Sequence, residues 1–144
     1  MRRRRGHLQL LKAAGRATEP AFGRLAAACI LGDGKAAGAL PESFVVTELR
    51  KQATWAERAV DLAHFQDRSG GEIDVVVEDR RSGEVAGIEV KATLRPLAAH
   101  ARHLAAARDR LGDRFIPGVL LHTGAAVLPL GDRLWAVPVS DLWA

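Results

Sequence analysis

The sequence is poor in cysteine and contains no long apolar run. Its 144 residues include one cysteine, Cys29, which excludes a disulfide within the chain and a zinc site built from several thiolates. A lone cysteine is typical of a reducing compartment, so we expect a cytoplasmic protein. No segment reaches the length and apolarity of a membrane-spanning helix, and no membrane partner is expected. Arg2–Arg5 precede a short apolar run, but Lys12 and Arg16 interrupt it, which argues against an export signal.

The sequence also has no Gly-x-x-x-x-Gly-Lys-Ser/Thr phosphate-binding loop, so ATP hydrolysis is not predicted. It contains no internal repeat and no long linker, and 48% of its residues are hydrophobic. These features predict one domain with one core.

Positive charge is concentrated at the N-terminus. The formal net charge is +4, and Arg2–Arg5 carry four positive charges of the total. Such an arm can bind phosphates non-specifically, although arginine is also common in the Ala- and Gly-rich chains of GC-rich genomes. We predict a flexible basic arm over residues 1–20 and a folded domain over residues 21–144.

Two short apolar segments in the middle of the chain carry charged residues at alternating positions. Residues 71–77 include Asp74, and residues 87–92 include Glu89 and Lys91. Side chains alternate between the two faces of a strand, so Glu89 and Lys91 are predicted to project together. The polar, glycine-containing segment between the two runs favours a hairpin, which would bring Asp74 beside them.

This constellation predicts a metal site with a hydrolytic function. Two carboxylates a few ångströms apart repel each other unless a cation lies between them, so they favour Mg²⁺ or Mn²⁺. A nearby lysine adds nothing to metal binding, but hydrolysis of a phosphodiester needs a cation to orient water and offset phosphate charge. The alternative is structural: Asp74 begins a strand, and Glu89 and Lys91 form an exposed ion pair. The surrounding valines and isoleucines favour the metal site, because buried strands rarely carry charge without a purpose.

An amphipathic pattern predicts a helix from Pro41 to Ala63, and two acids lie on or beside its apolar stripe. These are Glu42 and Glu48, and both are therefore candidates to approach the sheet. The structural alternative for Glu42 is a first-turn carboxylate that complements the helix dipole. The alternative for Glu48 is an intrahelical pair with Lys51 or Gln52.

The remaining pattern completes an α/β domain. We predict a first strand over His64–Arg68, a second helix over Leu97–Leu111, a short strand over Val119–Leu121, and a terminal hairpin of Val127–Leu130 with Leu134–Pro138. The order is helix, three strands, helix, strands, which predicts a mixed sheet flanked by helices. Three histidines in the C-terminal half of the chain are predicted to take no part in catalysis or metal binding. His100 and His103 lack a third metal ligand and are predicted to lie on a solvated helix face, and His122 to form hydrogen bonds at a strand end.

A helical glutamate, an aspartate on one strand and Glu-x-Lys on the next resemble the P-D-(D/E)-X-K nuclease superfamily, although the proline of that name is absent before Asp74. The closer resemblance is to domain of unknown function family 4143, the C-terminal domain of bacterial AAA-plus ATPases. It covers roughly Ala21 to Trp143, and the residues that carry it are 40–51, 88–92 and 131–138.

The resemblance implies a restriction-endonuclease-like α-β-β-β-α-β core and a metal-dependent nuclease acting on DNA. The implied ligands of one Mg²⁺ or Mn²⁺ ion are Asp74, Glu89 and the carbonyl of Val90. A helical acid, Glu42 before Glu48, is implied to complete the shell or to hold a second ion. Lys91 is implied to position the attacking water.

Family members usually carry an ATPase domain ahead of this one, so we expect the tail domain alone, with an ATPase as a candidate partner. A homodimer is left open. Two readings compete with the nuclease: a catalytically inactive module that binds DNA or docks a protein, and a purely structural domain.

Overall fold

The computed structural model describes residues 36–54, 56 and 59–143, with the side chains of residues 42–54, 56 and 59–141. The predicted basic arm over residues 1–20 lies outside these residues. Within the described part of the chain, no helix is long and apolar enough to cross a membrane.

The described residues form a mixed α/β domain with two α-helices and a six-stranded sheet. The elements are α1 (Ala36–Ala53), β1 (Val60–Gln66), β2 (Glu72–Asp79), β3 (Val85–Lys91), α2 (Arg102–Leu111), β4 (Phe115–His122), β5 (Leu128–Gly131) and β6 (Leu134–Pro138). Short 3₁₀ turns cover Ala98–Ala101, Gly112–Arg114 and Val139–Trp143. The strand order is β1-β2-β3-β4-β6-β5. β4 pairs in parallel with β3 and β6, and the other pairs are antiparallel, so the sheet is mixed as predicted.

Each face of the sheet packs against one helix. On the α1 side, Val45 and Leu49 join a cluster of strand residues that comprises Val75, Ile88, Val119, Leu121 and Val137. On the α2 side, Ala101 and Leu104 pack with Ile73, Phe115 and Leu134. The aliphatic side chains of the central strands are therefore covered on both faces, which explains their near-continuous apolar runs.

β2 contains a bulge, an extra residue that changes the face of the sheet from which the side chains project. Ala63 pairs with Val76 and Phe65 pairs with Ile73, so two steps along β1 match three steps along β2. Ile73 packs on the α2 side, whereas Val75 packs on the α1 side. In a regular strand these two residues would share a face, so the extra residue lies between them, at Asp74.

The predicted hairpin and both terminal strands are confirmed, but the first helix and strand are misplaced in the prediction. α1 ends at Ala53 and not at Ala63, and β1 begins at Val60 and not at His64. The alanines of this region favour helix in isolation. β1 is an edge strand with mostly exposed side chains, so it shows little alternation, and its pairing with β2 overrides the local propensity.

The second helix begins later than predicted. Residues 98–101 form a 3₁₀ turn and α2 starts at Arg102, while its end before Gly112 matches the prediction. Gly112 adopts φ 57°, a conformation that glycine reaches without strain.

Candidate metal centre

Asp74 lies where the β2–β3 ladder ends. The last backbone pair of these strands joins Val75 to Ile88. Two residues further along β3, the backbone N–H of Val90 donates a 2.7 Å hydrogen bond to Oδ2 of Asp74. The aspartate side chain thus continues the pairing that the bulge interrupts, which fixes its carboxylate at the strand edge.

Three carboxylates meet at this edge. Glu42 of α1 and Glu72 and Asp74 of β2 each offer an oxygen atom, and these atoms lie within 4.8 Å of one another. We call these three residues the carboxylate cluster. Glu72 precedes the bulge and Asp74 is the bulge residue itself, and their carboxylates converge at this edge. The second turn of α1 carries Glu42 over that face.

Two carboxylates of the cluster have raised pKa values, as expected where negative charges lie close together. Burial raises the pKa of Asp74, and Glu72 raises it further, against the hydrogen bond from Val90. Burial also raises the pKa of Glu42, followed by the charges of Asp74 and Glu72. Glu42 and Asp74 therefore resist ionisation beside their neighbours, and a cation bound in the cluster would relieve this cost.

Glu89 lies beside the cluster but faces the other helix. Its neighbours Ile88 and Val90 pack on the α1 side, whereas Glu89 projects towards α2. Its Oε1 lies 3.8 Å from Nζ of Lys91 and 3.8 Å from Nδ1 of His103. Glu89 is only 3% exposed, and its Oε2 has no hydrogen-bond partner among the described residues. Burial raises its pKa to about 7, and Asp74 adds to the shift.

Lys91 is a cation close to both the carboxylate cluster and Glu89. Its side chain is 46% exposed. Its charge lowers the pKa of Glu89, of Asp74 and of Glu42 against the effect of burial. One ammonium group therefore acts on carboxylates of α1, β2 and β3, while part of it stays accessible to solvent.

His64 of β1 contacts the cluster from the edge of the sheet. Its Nε2 lies 3.1 Å from Oε1 of Glu72. Its Nδ1 lies 3.3 Å from the backbone carbonyl oxygen of Asp74. The ring therefore contacts both cluster residues of the neighbouring strand.

The structure separates the two predicted helical acids. Glu42 joins Asp74 in the cluster, and Glu48 does not. Glu48 is buried, and its Oε2 lies 3.5 Å from Nζ of Lys51, which is the intrahelical pair foreseen as its structural alternative. Glu42 is not a first-turn residue, because α1 begins at Ala36.

The sequence analysis did not assign three residues to the site. Glu72 stands two residues before Asp74, and the alternation of strand side chains could have placed both on one face. His64 falls in the strand whose start was misplaced. His103 was predicted to lie on a solvated helix face, which is wrong because its side chain is 28% exposed and lies beside Glu89. Only the packing of α2 on the sheet reveals that contact.

His122 confirms the prediction of a strand-end hydrogen bonder. It is 1% exposed, its Nε2 lies 2.9 Å from the carbonyl of Ala126, and its Nδ1 accepts a hydrogen bond from the N–H of Gly124. Both ring nitrogens are used, and they fix the loop that follows β4.

A family model described as a domain of unknown function (DUF4143) matches residues 37–142. No curated protein and no solved structure matches the chain significantly.

Proposed function

The chain belongs to the family described as a domain of unknown function (DUF4143), and we propose that its domain is a metal-dependent nuclease that hydrolyses phosphodiester bonds in DNA. The observation that carries this proposal is the convergence of Glu42, Glu72 and Asp74 within 4.8 Å. Glu89 and Lys91 stand next to that cluster, so acids and a cation meet at one strand edge.

The donor set fits a divalent ion of the Mg²⁺ or Mn²⁺ class. Every candidate ligand is an oxygen atom, from a carboxylate or from the Val90 carbonyl, and hard divalent ions prefer oxygen ligands. The buried Oε2 of Glu89, which lacks a hydrogen-bond partner among the described residues, is a further sign that positive charge belongs nearby. Glu42, Glu72 and Asp74 would hold the ion, and the Val90 carbonyl would complete the shell on the β3 side, with the carboxylate of Glu89 beside the site on the α2 side.

A bound divalent ion would supply Lewis acidity and neutralise charge on a phosphate oxygen. Lys91 would orient the attacking water, because its side chain is half-exposed and its ammonium group stands beside the buried carboxylate of Glu89. The carboxylate of Glu89 holds that ammonium group in place. The same charge would stabilise the negative charge that develops on the phosphate during hydrolysis.

The fold and its charge support the same proposal. The element order of a helix, three strands, a helix and a strand, on a mixed sheet, is compatible with a restriction-endonuclease-like core. Arg102, at the first turn of α2, is exposed and close enough to Glu89 to lower its pKa. This arginine gives the site a second cation that a nucleic-acid phosphate can contact.

Cleavage assays test the proposal. The purified chain is incubated with single-stranded, duplex and branched DNA in Mg²⁺, in Mn²⁺ and in EDTA. We expect metal-dependent cleavage of at least one substrate, its loss in Asp74→Asn, and its retention in Glu78→Gln. Glu78 is the matched control because it lies on β2, is half-exposed and pairs with Arg114 at 3.6 Å.

Two outcomes would overturn the nuclease. If the chain binds DNA but cuts none of the substrates, it is a catalytically inactive DNA-binding module. If it neither binds nor cuts DNA, the protein-docking or structural reading replaces the proposal.

A further inference from the structure

The loop that leaves β3 for α2 exposes two leucines. We call residues 92–97 the crossover loop. The side chains of Leu94 and Leu97 are 67% and 60% exposed, more than any other large apolar side chain in the described part of the chain. Exposed apolar surface beside a candidate site is typical of a surface that contacts a partner.

The crossover loop holds these leucines on a fixed backbone. The N–H of Thr123, just after β4, donates a 3.0 Å hydrogen bond to the carbonyl of Thr93. The N–H of Leu97 donates to Nδ1 of His100 at 3.0 Å. Pro96, between the two leucines, is buried. The loop is therefore anchored along its length, and its leucines project to solvent from a framework that is already in place.

The same segment is basic. No acidic residue occurs between Lys91 and Asp109 in the sequence. Arg95 and Arg102 are exposed, and neither forms an ion pair with a carboxylate of the described residues. At the opposite end of the sheet, three arginines each lie within 3.6 Å of a carboxylate oxygen: Arg80, Arg114 and Arg133. The cations around the crossover loop thus remain available to an anionic partner.

We propose that the crossover loop binds an unpaired strand of nucleic acid. Leu94 and Leu97 contact the faces of its bases, and Arg95 contacts a phosphate. Stacking and pairing cover the bases of a duplex, whereas an unpaired strand offers their faces. Leucine is among the apolar side chains that proteins insert between bases. This inference rests on the proposed function and deepens it, because it specifies single-stranded or branched DNA as the substrate.

The position of the loop favours nucleic acid over a membrane of acidic phospholipids, which would also suit an apolar and basic surface. Lys91 ends β3 immediately before the loop, and its charge acts on Asp74 and Glu42 of the carboxylate cluster. Arg102 follows the loop and is close enough to Glu89 to lower its pKa. A strand bound to the loop would therefore lie next to the site proposed to cut it.

Fluorescence anisotropy in EDTA tests binding without metal or cleavage. One labelled oligonucleotide is presented as a single strand, in a duplex and in a fork with unpaired arms. The parent chain should bind the single strand and the fork about tenfold or more tightly than the duplex, the scale of one or two base contacts. Leu94→Ser/Leu97→Ser should remove this preference. Leu94→Met/Leu97→Met keeps the apolar volume and should retain it.

A charge variant separates the phosphate contact from the base contacts. Arg95→Ala should weaken binding of all three DNAs, and the slope of log affinity against log salt should fall by about 0.7 for the single strand. Arg81→Ala removes an exposed arginine from the β2–β3 turn, at the opposite end of the sheet, and should change neither property. All the substituted side chains are exposed, so the variants should fold, and thermal unfolding checks this.

Each outcome has a distinct meaning. Equal affinity of the parent for the single strand and the duplex overturns the inference, and metal-dependent cleavage would still uphold the nuclease. A preference for unpaired DNA that survives in Leu94→Ser/Leu97→Ser also overturns it. Vesicles of acidic phospholipid provide the last comparison: binding that this variant loses, in a chain without the preference, would assign the loop to a membrane. The preference without cleavage upholds the inference and removes the nuclease.

Discussion

Oδ2 of Asp74 accepts a 2.7 Å hydrogen bond from the backbone N–H of Val90, one residue beyond Glu89 on the neighbouring strand. The side chain thus takes the place of a backbone acceptor at the β2 bulge. It also belongs to the carboxylate cluster. Asp74 therefore has two roles. It accepts a hydrogen bond that joins the two strands, and it adds a negative charge to the cluster. Substitutions can separate these roles.

The first prediction separates these roles by comparing Asp74→Asn with Asp74→Ala. Asparagine keeps a carbonyl that can accept from Val90 and removes the charge, so the free energy of unfolding in EDTA at pH 8 should equal or exceed that of the parent. Alanine loses the acceptor and should be less stable than asparagine by about 1 kcal/mol. Urea denaturation measures both. Equal stability of the two variants would show that the hydrogen bond contributes nothing.

The second prediction concerns pH and Glu89. Its pKa is raised from 4.5 to about 7 in the folded chain, so the folded state binds a proton that the unfolded state has already released between these values. Its contribution to stability is therefore complete below about pH 4.5 and is lost as the pH rises through about 7. Glu42 and Asp74, whose pKa values are also raised, act in the same direction.

Glu89→Gln should remove the loss of stability that accompanies ionisation of Glu89. In EDTA at pH 8 the variant should be more stable than the parent, by up to about 3.5 kcal/mol at about 1.4 kcal/mol per pH unit. Glu78→Gln, at a half-exposed position of β2, should leave the pH profile unchanged. Denaturant unfolding from pH 5 to pH 8 provides the measurement. A Glu89→Gln profile parallel to that of the parent would contradict the assignment.

The third prediction is stabilisation by metal. Mg²⁺ or Mn²⁺ at about ten times its dissociation constant should stabilise the parent by about 1.4 kcal/mol. This corresponds to a rise in melting temperature of about 3 to 6 °C for a domain of this size. Glu42→Gln should abolish the rise, and Glu48→Gln on the same helix should retain it, because Glu48 lies outside the cluster and pairs with Lys51. Identical shifts in both variants would place the ion elsewhere.

The fourth prediction separates catalysis from binding. Lys91→Ala should lower metal-dependent cleavage by about 100-fold or more, the scale of losing one preorganised charged donor. DNA affinity should change little, since binding draws on many cations and loses at most one phosphate contact. Lys51→Ala removes another half-exposed lysine on the neighbouring helix and should affect neither property. Single-turnover cleavage and equilibrium binding are measured on the same DNA. A parallel loss of affinity and rate in Lys91→Ala would make Lys91 a DNA-binding residue.

The strands at the centre of the domain could be predicted because their pattern is local. Short apolar runs that carry Asp74 and Glu89 at alternating positions, joined by a polar turn, are enough to predict the β2–β3 hairpin. The β1 edge strand lacks such a pattern. Its alanine-containing sequence favours helix until β2 supplies a pairing partner, so the prediction extended α1 by ten residues, from Ala53 to Ala63.

The candidate site was predicted only in part, for a similar reason. Asp74, Glu89, Lys91 and Glu42 could be proposed from strand alternation and helical periodicity. His103 comes beside Glu89 through the packing of α2, which sequence spacing does not encode. The bulge at Asp74 is equally non-local, because it appears only in the register between β1 and β2. Glu72 was within reach, since its spacing of two from Asp74 predicts a shared face.

The central claim is that Glu42, Glu72 and Asp74 together hold a divalent ion, and anomalous X-ray scattering from crystals soaked in Mn²⁺ tests it most directly. The account predicts an anomalous peak at about 2.2 Å from a carboxylate oxygen of each of these three residues. The peak should be absent from crystals of Asp74→Asn soaked in the same way. A cluster without a peak in well-ordered parent crystals, or a peak bound only by residues outside the cluster, would contradict the account.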